Sequence, residues 1–349
     1  MRRKPRHRFG DPTIDEAIAS LIEAVGGSKD ADLISELVVS SLRLARDEAD
    51  RGDLKIANAA LREMRTTFHA FAPYRDRRKV AIFGSARTQP EDPLYAQARE
   101  AAAAFARHGW MVITGAGPGI MEAGVEGAGV DQSFGVSIRL PFETVTTQFM
   151  DGDPKLVNFR YFFTRKLAFM KEAHGFVLLP GGVGTMDEAF ELLTLVQTGK
   201  SQPAPIVLLE VPEGTYWQTW RDFLRTEVEA RGYISEHDLG LFLVTDDVDA
   251  ATEEVLGFYR NYHSLRFVGE VLVLRMRAAP PHARLSELAD QFGDIIKDGE
   301  LEVIEATDEE RSDDDHVDLD RVAFRFDRHG WPRLRQMIDA LNLPDPGAR

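Results

Sequence analysis

The sequence predicts an α/β protein whose centre is a doubly wound parallel sheet, with an N-terminal helical extension and a small C-terminal α+β domain. Between residues 79 and 262, short apolar runs alternate with segments of helical periodicity. Three of these runs lead into glycine-rich turns, and the patterns before and after this stretch are different. We therefore predict a basic tail and helical extension at residues 1–76, a central α/β domain at 77–263 and an α+β domain at 264–349.

The composition is that of a globular protein with its own hydrophobic core. Of the 349 residues, 44% are hydrophobic and 28% are charged, and this length predicts two or three folding units. The absence of cysteine excludes a disulfide scaffold, thiolate zinc sites and a cysteine nucleophile. No apolar run approaches the ~18 residues of a membrane helix, and the start MRRKPRHRFG lacks the apolar stretch of a secretory signal. We expect a cytoplasmic protein without a membrane partner.

The charge argues against nucleic acid as a partner. A formal net charge of −15 repels a phosphate backbone at long range. The basic cluster at residues 2–8 is the exception, and we interpret it as a solvated tail.

Residues 13–69 carry three stripes of apolar side chains at helical spacing. Gly26-Gly27 and Arg51-Gly52-Asp53 interrupt the pattern and predict the two breaks between helices. The segment has no residues that point to chemistry, so we interpret it as a packing or assembly element.

The central domain is predicted from alternating runs. The predicted strands, which are short and almost wholly apolar, are residues 80–83, 111–114, 134–138, 175–179, 206–209 and 241–244. The predicted helices, which lie between or after them, are residues 93–107, 119–129, 163–173, 186–197, 215–230 and 247–260. This alternation is typical of a parallel sheet covered by helices on both faces.

The last block has a different pattern. The predicted strands are residues 267–276, 300–305 and 321–326, and the predicted helices are 284–296 and 330–342. The acidic stretch 307–320 is interpreted as a solvated hairpin loop; a cation site is the alternative, although its ligand spacing matches no known loop.

Three glycine-bearing turns follow predicted strands, at residues 84–87, 115–119 and 180–185. In an open parallel sheet these turns share the edge beyond the carboxyl ends of the strands, where ligands bind. Each leads into a helix, whose unpaired N–H groups and dipole favour phosphate. A dinucleotide fingerprint would need glycine at Ile120, and no P-loop motif is present, so a mononucleotide fits better than NAD or ATP.

Two carboxylates follow the third turn. Asp187 and Glu188 fall in the first turns of the next predicted helix, where they complement its dipole or serve chemistry. A carboxylate beside a phosphate site is useful when a cation develops, as at the anomeric carbon of a breaking glycosidic bond. Arg165 and Lys166 precede this motif, and arginine can grip phosphate in a bidentate manner.

These residues form a recognisable set. The strings Phe162-Phe163-Thr164-Arg165-Lys166 and Pro180-Gly181-Gly182-Val183-Gly184-Thr185-Met186-Asp187-Glu188 resemble the signature of the LOG ("lonely guy") family, PGGxGTxxE with an upstream Arg-Lys. Residues 83–87 and 114–123 resemble the family pattern as well. The resemblance implies a Rossmann-like fold, a homodimer or higher homo-oligomer, and hydrolysis of nucleoside 5′-monophosphates to free base and ribose 5-phosphate. AMP-like nucleotides or cytokinin riboside 5′-monophosphates are the implied substrates.

The resemblance also implies roles for single residues. Arg165 and Glu188 would be the catalytic pair. The residues expected to contact the substrate or its phosphate are Gly84, Ser85, Arg87, Gly117, Gly119, Met121, Lys166, Gly181, Gly182, Gly184 and Thr185. Neither a metal nor an organic cofactor is expected. Ala116 departs from the family, since relatives often have glycine there, and a narrower pocket floor is expected.

Two alternatives stay open at this point. The same scaffold could bind a nucleotide or a phosphorylated cofactor as a sensor, without turnover. It could also bind single-stranded DNA, which the acidic charge disfavours. Members of the family have often carried a lysine decarboxylase label, but the constellation that pyridoxal chemistry needs is not visible in the sequence. The sequence does not name the preferred base.

Overall fold

The structure is a computed structural model that describes residues 8–139 and 150–343. Most of the predicted basic tail, residues 140–149 and the last six residues therefore lie outside the described residues. The chain divides into two compact units, one ending at Arg65 and one beginning at Thr66. Within the described ranges, no helix is long and apolar enough to cross a membrane.

The first unit is helical, as predicted. Its helices, which include one that continues into the second unit, are α1 (Pro12–Ala24), α2 (Ala31–Arg46) and α3 (Arg51–Phe71). The break at Gly26-Gly27 is confirmed, because both glycines adopt positive φ after α1 ends.

The predicted break at Arg51-Gly52-Asp53 is wrong. These residues form the first turn of α3, and the chain turns just before them instead. Asp50 is the reason: its Oδ1 accepts from the Asp53 N–H at 2.9 Å, while Asp53 Oδ2 accepts from the Asp50 N–H at 3.3 Å. Two such reciprocal bonds satisfy N–H groups at the helix start and make glycine acceptable there.

The second unit contains the predicted parallel α/β sheet, with seven strands. They are β1 (Lys79–Phe83), β2 (Met111–Thr114), β3 (Ser133–Ile138), β4 (Leu156–Phe159), β5 (Gly175–Leu178), β6 (Ile206–Leu209) and β7 (Leu243–Thr245). The order is β4-β3-β2-β1-β5-β6-β7, and every neighbouring pair is parallel. The order reverses between β1 and β5, so the topological switch point lies there.

Six helices accompany this sheet. They are α4 (Pro93–Arg107), α5 (Ile120–Ala128), α6 (Phe162–Glu172), α7 (Val183–Gln197), α8 (Tyr216–Phe223) and α9 (Val248–Gly257). The two faces of β1 enter different cores: Ala81 and Phe83 pack with residues of α6 to α8, whereas Val80 and Ile82 pack with residues of α4, α5 and α9. A strand buried on both faces is apolar throughout, which is why its run was readable in the sequence.

Two features of this sheet differ from the prediction. Strand β4 was not predicted; it is a four-residue edge strand that pairs with β3 from Gly135–Leu156 to Ile138–Phe159. The predicted helix at 215–230 is α8 followed by a π-helical turn at Leu224–Glu229.

The C-terminal part forms a four-stranded antiparallel sheet with helices. Its elements are β8 (Tyr262–Val268), β9 (Val271–Met276), α10 (His282–Gln291), β10 (Ile296–Val303), α11 (Asp308–Asp313), β11 (Asp320–Phe326) and α12 (Trp331–Asn342), and the strand order is β10-β11-β9-β8. The single strand predicted at 267–276 is wrong, because Gly269 at φ +59° and Glu270 turn the chain into a hairpin.

The acidic stretch 307–320 is not a solvated loop throughout. Thr307 caps α11, and Glu310 is fully buried between Arg275 and Arg321, whose Nε atoms lie 2.8 and 3.0 Å from its carboxylate oxygens. Burial acts to raise the pKa of Glu310, but hydrogen bonds from Thr307 and the two arginines lower it to about 2. The described residues hold no group of three or more His, Asp or Glu placed to bind a metal ion.

Candidate active site

A pocket of about 850 Å³ opens at the carboxyl edge of the parallel sheet. Its walls are the turns after β1, β2 and β5, the ends of β3 and β4, and the starts of α6 and α7. This is where ligands bind in open α/β sheets, and the volume suits a small molecule. Ten of the residues predicted from sequence line it: Gly84, Ser85, Arg87, Gly117, Met121, Arg165, Gly182, Gly184, Thr185 and Glu188.

Three predicted contact residues are not part of the lining. Gly119 and Gly181 lie behind it, where they let the turns approach: an added Cβ would collide with the Ser85 carbonyl oxygen at Gly119 and with the Thr185 hydroxyl at Gly181. Gly119 also needs its positive φ of +68°, which favours glycine. Lys166 is the third, because ion pairs hold its Nζ away from the pocket.

The N-terminus of α7 supplies an anion site. The helix begins after Gly182 without a side-chain cap. The N–H groups of Thr185 and Met186 donate to the Gly182 carbonyl oxygen at 3.0 and 3.2 Å, so the N–H groups left for an anion are those of Val183 and Gly184. Partial positive charge at a helix start favours phosphate. Across the switch point, the Ser85 hydroxyl accepts from the Arg87 N–H at 3.0 Å, and Arg87 adds a guanidinium to the pocket wall.

Glu188 is a buried acid with an unused oxygen. Its side chain is 6% exposed, and its Oε2 has no hydrogen-bond partner within the described part of the chain. Burial raises the pKa of Glu188 to about 7. The positive charges of Lys166 and Arg165 act to lower this pKa, and the negative charges of Glu191 and Asp187 act to raise it. A carboxyl that titrates near neutrality can act as an acid or a base.

Arg165 is fixed beside it. Its Nε donates to the carbonyl oxygen of Val136 in β3 at 2.9 Å, and the guanidinium lies 5.4 Å from the ring centroid of Phe169. An added Cβ at Gly115 would collide with Arg165 Nη2 and lie 2.5 Å from Met121 Sδ, so this glycine makes room for both side chains. Burial lowers the pKa of Arg165, and the nearby carboxyl of Glu188 raises it.

Lys166 bridges two acids of α7. Its Nζ lies 2.9 Å from Asp187 Oδ2 and also pairs with Glu191. These pairs connect α6 to α7 and neutralise the carboxylates on either side of Glu188. Lys166 is therefore a structural neighbour of the pocket in this conformation.

Ala116 occupies the pocket floor under strain. Its φ of +52° lies in the left-handed region, its N–H donates to the Thr114 hydroxyl at 3.2 Å, and the residue is 1% exposed. Ala116 is one of the residues that line the pocket, and the narrower floor stays a prediction.

Among the lining residues that sequence reasoning did not select are four with polar or aromatic side chains near β3 and β4. Ser137 comes from β3, Arg139 directly follows that strand, Asn158 comes from β4, and Phe162 is the first residue of α6. Because the strand β3 was predicted, the residues at its carboxyl end could have been selected as pocket residues. Asn158 was not, because its strand was missed.

Comparisons with known proteins find similarity over the part of the chain that holds this pocket. A family model described as "Possible lysine decarboxylase" matches residues 114–255. A cytokinin riboside 5′-monophosphate phosphoribohydrolase from Mycobacterium marinum is 31% identical over 177 residues, which are 50% of this chain and 91% of that protein. A pyrimidine/purine nucleotide 5′-monophosphate nucleosidase from Escherichia coli is 31% identical over 123 residues, which are 32% of this chain and 27% of that protein.

A solved structure is also similar to part of the chain. The molybdenum cofactor carrier protein from Chlamydomonas reinhardtii matches 52% of this chain and 96% of its own, with 22% identity and a TM-score of 0.37. The family assignment depends on the sequences: this chain spans nearly all of the mycobacterial relative, and the matched family model includes the turns after β2 and β5, α6 and α7. The protein belongs to the LOG family.

Proposed function

We propose that the protein hydrolyses the N-glycosidic bond of nucleoside 5′-monophosphates, giving a free base and ribose 5-phosphate. One observation carries the proposal: the buried carboxyl of Glu188, with an unpartnered oxygen, shares a pocket with an uncapped helix N-terminus and with Arg165. An acid, an anion site and a cation in one pocket meet the needs of this reaction. The activities named for the mycobacterial and E. coli relatives are of the same class.

The spacing along α7 supports the orientation of the substrate. Glu188 follows Gly184 by four residues, which is about 6 Å along the helix axis. With phosphate at the first turn, a ribose ring can span that rise and bring its anomeric carbon to Glu188. The phosphate thus fixes the sugar, and the carboxyl faces the bond that breaks.

The chemistry then follows from charge. The C1′–N bond breaks, its electron pair leaves with the base, and the sugar gains oxocarbenium character that an adjacent carboxylate stabilises. Water adds to C1′ and Glu188 accepts one of its protons. That proton is then passed on to the departing nitrogen, which restores the carboxylate and gives neutral base and ribose 5-phosphate. Arg165, held by Val136 and Phe169, keeps the reactants aligned.

Lysine decarboxylation fits this pocket poorly. Pyridoxal chemistry uses a lysine as Schiff base. The described residues that line the pocket include no lysine, and the adjacent Lys166 is engaged by Asp187 and Glu191.

We also propose that the protein acts as a homo-oligomer. The two helices beside the pocket expose large apolar side chains: Phe163 and Leu167, one turn apart on α6, are 54% and 45% exposed, and Val183 of α7 is 87% exposed. Sedimentation equilibrium of the purified protein tests this, and a monomer at all concentrations would contradict it.

The deciding experiment is a product screen. Purified protein is incubated with AMP, GMP, CMP, UMP, IMP and a cytokinin riboside 5′-monophosphate, and base and ribose 5-phosphate are quantified by chromatography. Equal amounts of both products from at least one nucleotide are expected. Tight binding without products would favour the alternative of a nucleotide sensor on the same fold.

A further inference from the structure

The pocket has two chemically different ends. At the end near β5 and β1, the lining consists of glycine turns, Ser85, Arg87 and the start of α7, which together suit an anion. At the β3 and β4 end, the lining consists of Ser137, Ile138, Arg139, Asn158 and Phe162, with no glycine turn.

The distance between these ends matches one nucleotide. From β5 across β1 and β2 to β3 is three strand spacings, or about 14 Å. Arg165 is anchored on Val136 of β3, whereas Glu188 belongs to α7, and the two side chains interact, so this pair connects the two ends. With phosphate at α7 and sugar at Glu188, the base must extend towards β3 and β4.

Three polar side chains at that end have nothing to bind. Ser137 and Asn158 are register partners on adjacent strands. Arg139 directly follows β3, and its N–H still donates to the Phe159 carbonyl oxygen of β4 at 2.9 Å. Within residues 8–139 and 150–343, none of these three side chains forms a hydrogen bond or an ion pair. Ser137 is 7% exposed and lines the pocket.

An aromatic ring completes this end. Phe162 begins α6 and is 51% exposed, although it lines the pocket. A base can stack on such a ring, as bases do on aromatic side chains in proteins that bind single strands. The phosphate end offers no aromatic side chain among the lining residues besides Phe83 at its base.

We propose that Arg139 and Asn158 select the base, with Phe162 as the stacking surface, and that the selected class is the 6-oxopurine nucleoside 5′-monophosphates. Arginine has only donors, and its fork matches the adjacent O6 and N7 acceptors of guanine or hypoxanthine, whereas adenine has an amino group at that position. The Asn158 amide donates and accepts, and can complete recognition of the same edge. This inference rests on the proposed function.

The test uses two base-end variants and one phosphate-end control. Values of kcat/KM are measured for GMP, IMP and AMP with wild type, Arg139→Gln, Asn158→Asp and Arg87→Gln. Arg139 and Asn158 are exposed, so folding is expected to be retained. Binding of the same nucleotides is measured by calorimetry in a Glu188→Gln background, where they are not consumed.

The expected results distinguish a change in base selection from a general loss of activity. We expect wild type to have a higher kcat/KM for GMP and IMP than for AMP. Arg139→Gln should lower kcat/KM for GMP and IMP about tenfold or more and leave kcat/KM for AMP almost unchanged. Asn158→Asp exchanges a donor for an acceptor and shifts preference towards AMP. Arg87→Gln should lower kcat/KM equally for all three nucleotides, because Arg87 is expected to contact the phosphate that they share.

The outcomes against the inference are equally distinct. A wild-type preference for AMP, or base-end variants that change all three nucleotides equally or not at all, overturns it while hydrolysis itself stands. If no nucleotide is hydrolysed, the proposed function fails, and the binding ranking in the Glu188→Gln background still decides the assignment of base selection.

Discussion

Replacing Glu188 with glutamine keeps the shape of the side chain and removes its ability to ionise. The site is buried at 6% exposure, and one carboxyl oxygen has no partner within the described residues, so the amide fits without displacing a hydrogen-bond partner of that oxygen. We expect the variant to fold and to bind AMP or GMP. Turnover should fall by about 10²–10⁴, the usual contribution of a positioned acid or base.

The same change has a calculable effect on stability. Burial raises the pKa of Glu188 from 4.5 to about 7, a difference equivalent to about 3 kcal/mol. Below pH ~4.5 the carboxyl is neutral in both states, so folding loses nothing there. As pH rises through about 7, the unfolded chain ionises more readily and the free energy of unfolding of the wild type falls. Glu188→Gln should therefore be more stable than wild type by up to about 3 kcal/mol near pH 8, and no more stable near pH 4.

The assay combines turnover with urea unfolding across this pH range. Because the ionised carboxyl is the active form, wild-type kcat/KM should rise through about pH 7 and then level off. Glu191→Gln is the matched control: it should retain hydrolysis and move the rise to lower pH, because Glu191 raises the pKa of Glu188. Base release by Glu188→Gln at the wild-type rate would refute the assignment of this carboxyl.

Three further predictions concern the turns and the C-terminal sheet. Ala116→Val should lower the free energy of unfolding by about 2 kcal/mol or more in urea, because a β-branched residue resists φ +52°, whereas Ala116→Gly should stay within about 1 kcal/mol; equal effects would contradict the strain. Gly119→Ala should weaken AMP binding, measured by calorimetry, because its Cβ would displace the Ser85 carbonyl; unchanged affinity would show that the two turns are independent. Glu310→Gln should lower the free energy of unfolding by about 3–5 kcal/mol at neutral pH, because it leaves two buried arginines without their partner. The difference from wild type, measured by urea unfolding, should shrink as pH falls from 4.5 towards 2, where the native carboxyl is itself protonated. A difference that does not depend on pH would contradict the ion pairing.

The strands of the central sheet could be predicted where burial produces a continuous apolar run in the sequence. All five residues of β1 are buried, so its apolar run stands out in the sequence. Strand β4 has four residues, and the exposed Asn158 interrupts it at a sheet edge. An edge strand is buried on fewer sides, and its pairing is decided by β3, a partner that local pattern does not identify.

The same distinction explains the wrong boundaries. The start of α3 depends on the reciprocal bonds between Asp50 and Asp53, which outweigh the effect of Gly52. The hairpin at Gly269 has apolar residues on both sides, so two strands resembled one. Glu310 looked like one more solvated acid, because Arg275 and Arg321 are distant in sequence and only folding brings them to it.

The turns of the candidate site could be predicted because their glycines indicate the backbone geometry directly. The arrangement of charges around the site could not be predicted from the sequence. Within two turns, α7 places Asp187, Glu188 and Glu191 beside a predicted phosphate site, and three negative charges would repel the substrate. Lys166, from the preceding helix, pairs with the first and last of these acids. Glu188 is left as the acid whose pKa burial raises to about 7, so that near neutrality it carries only part of a charge until a cation develops beside it. Phosphate and carboxyl can therefore share the start of α7. Removing Lys166 should both weaken substrate binding, because Asp187 and Glu191 lose their partner, and raise the pKa of Glu188 further.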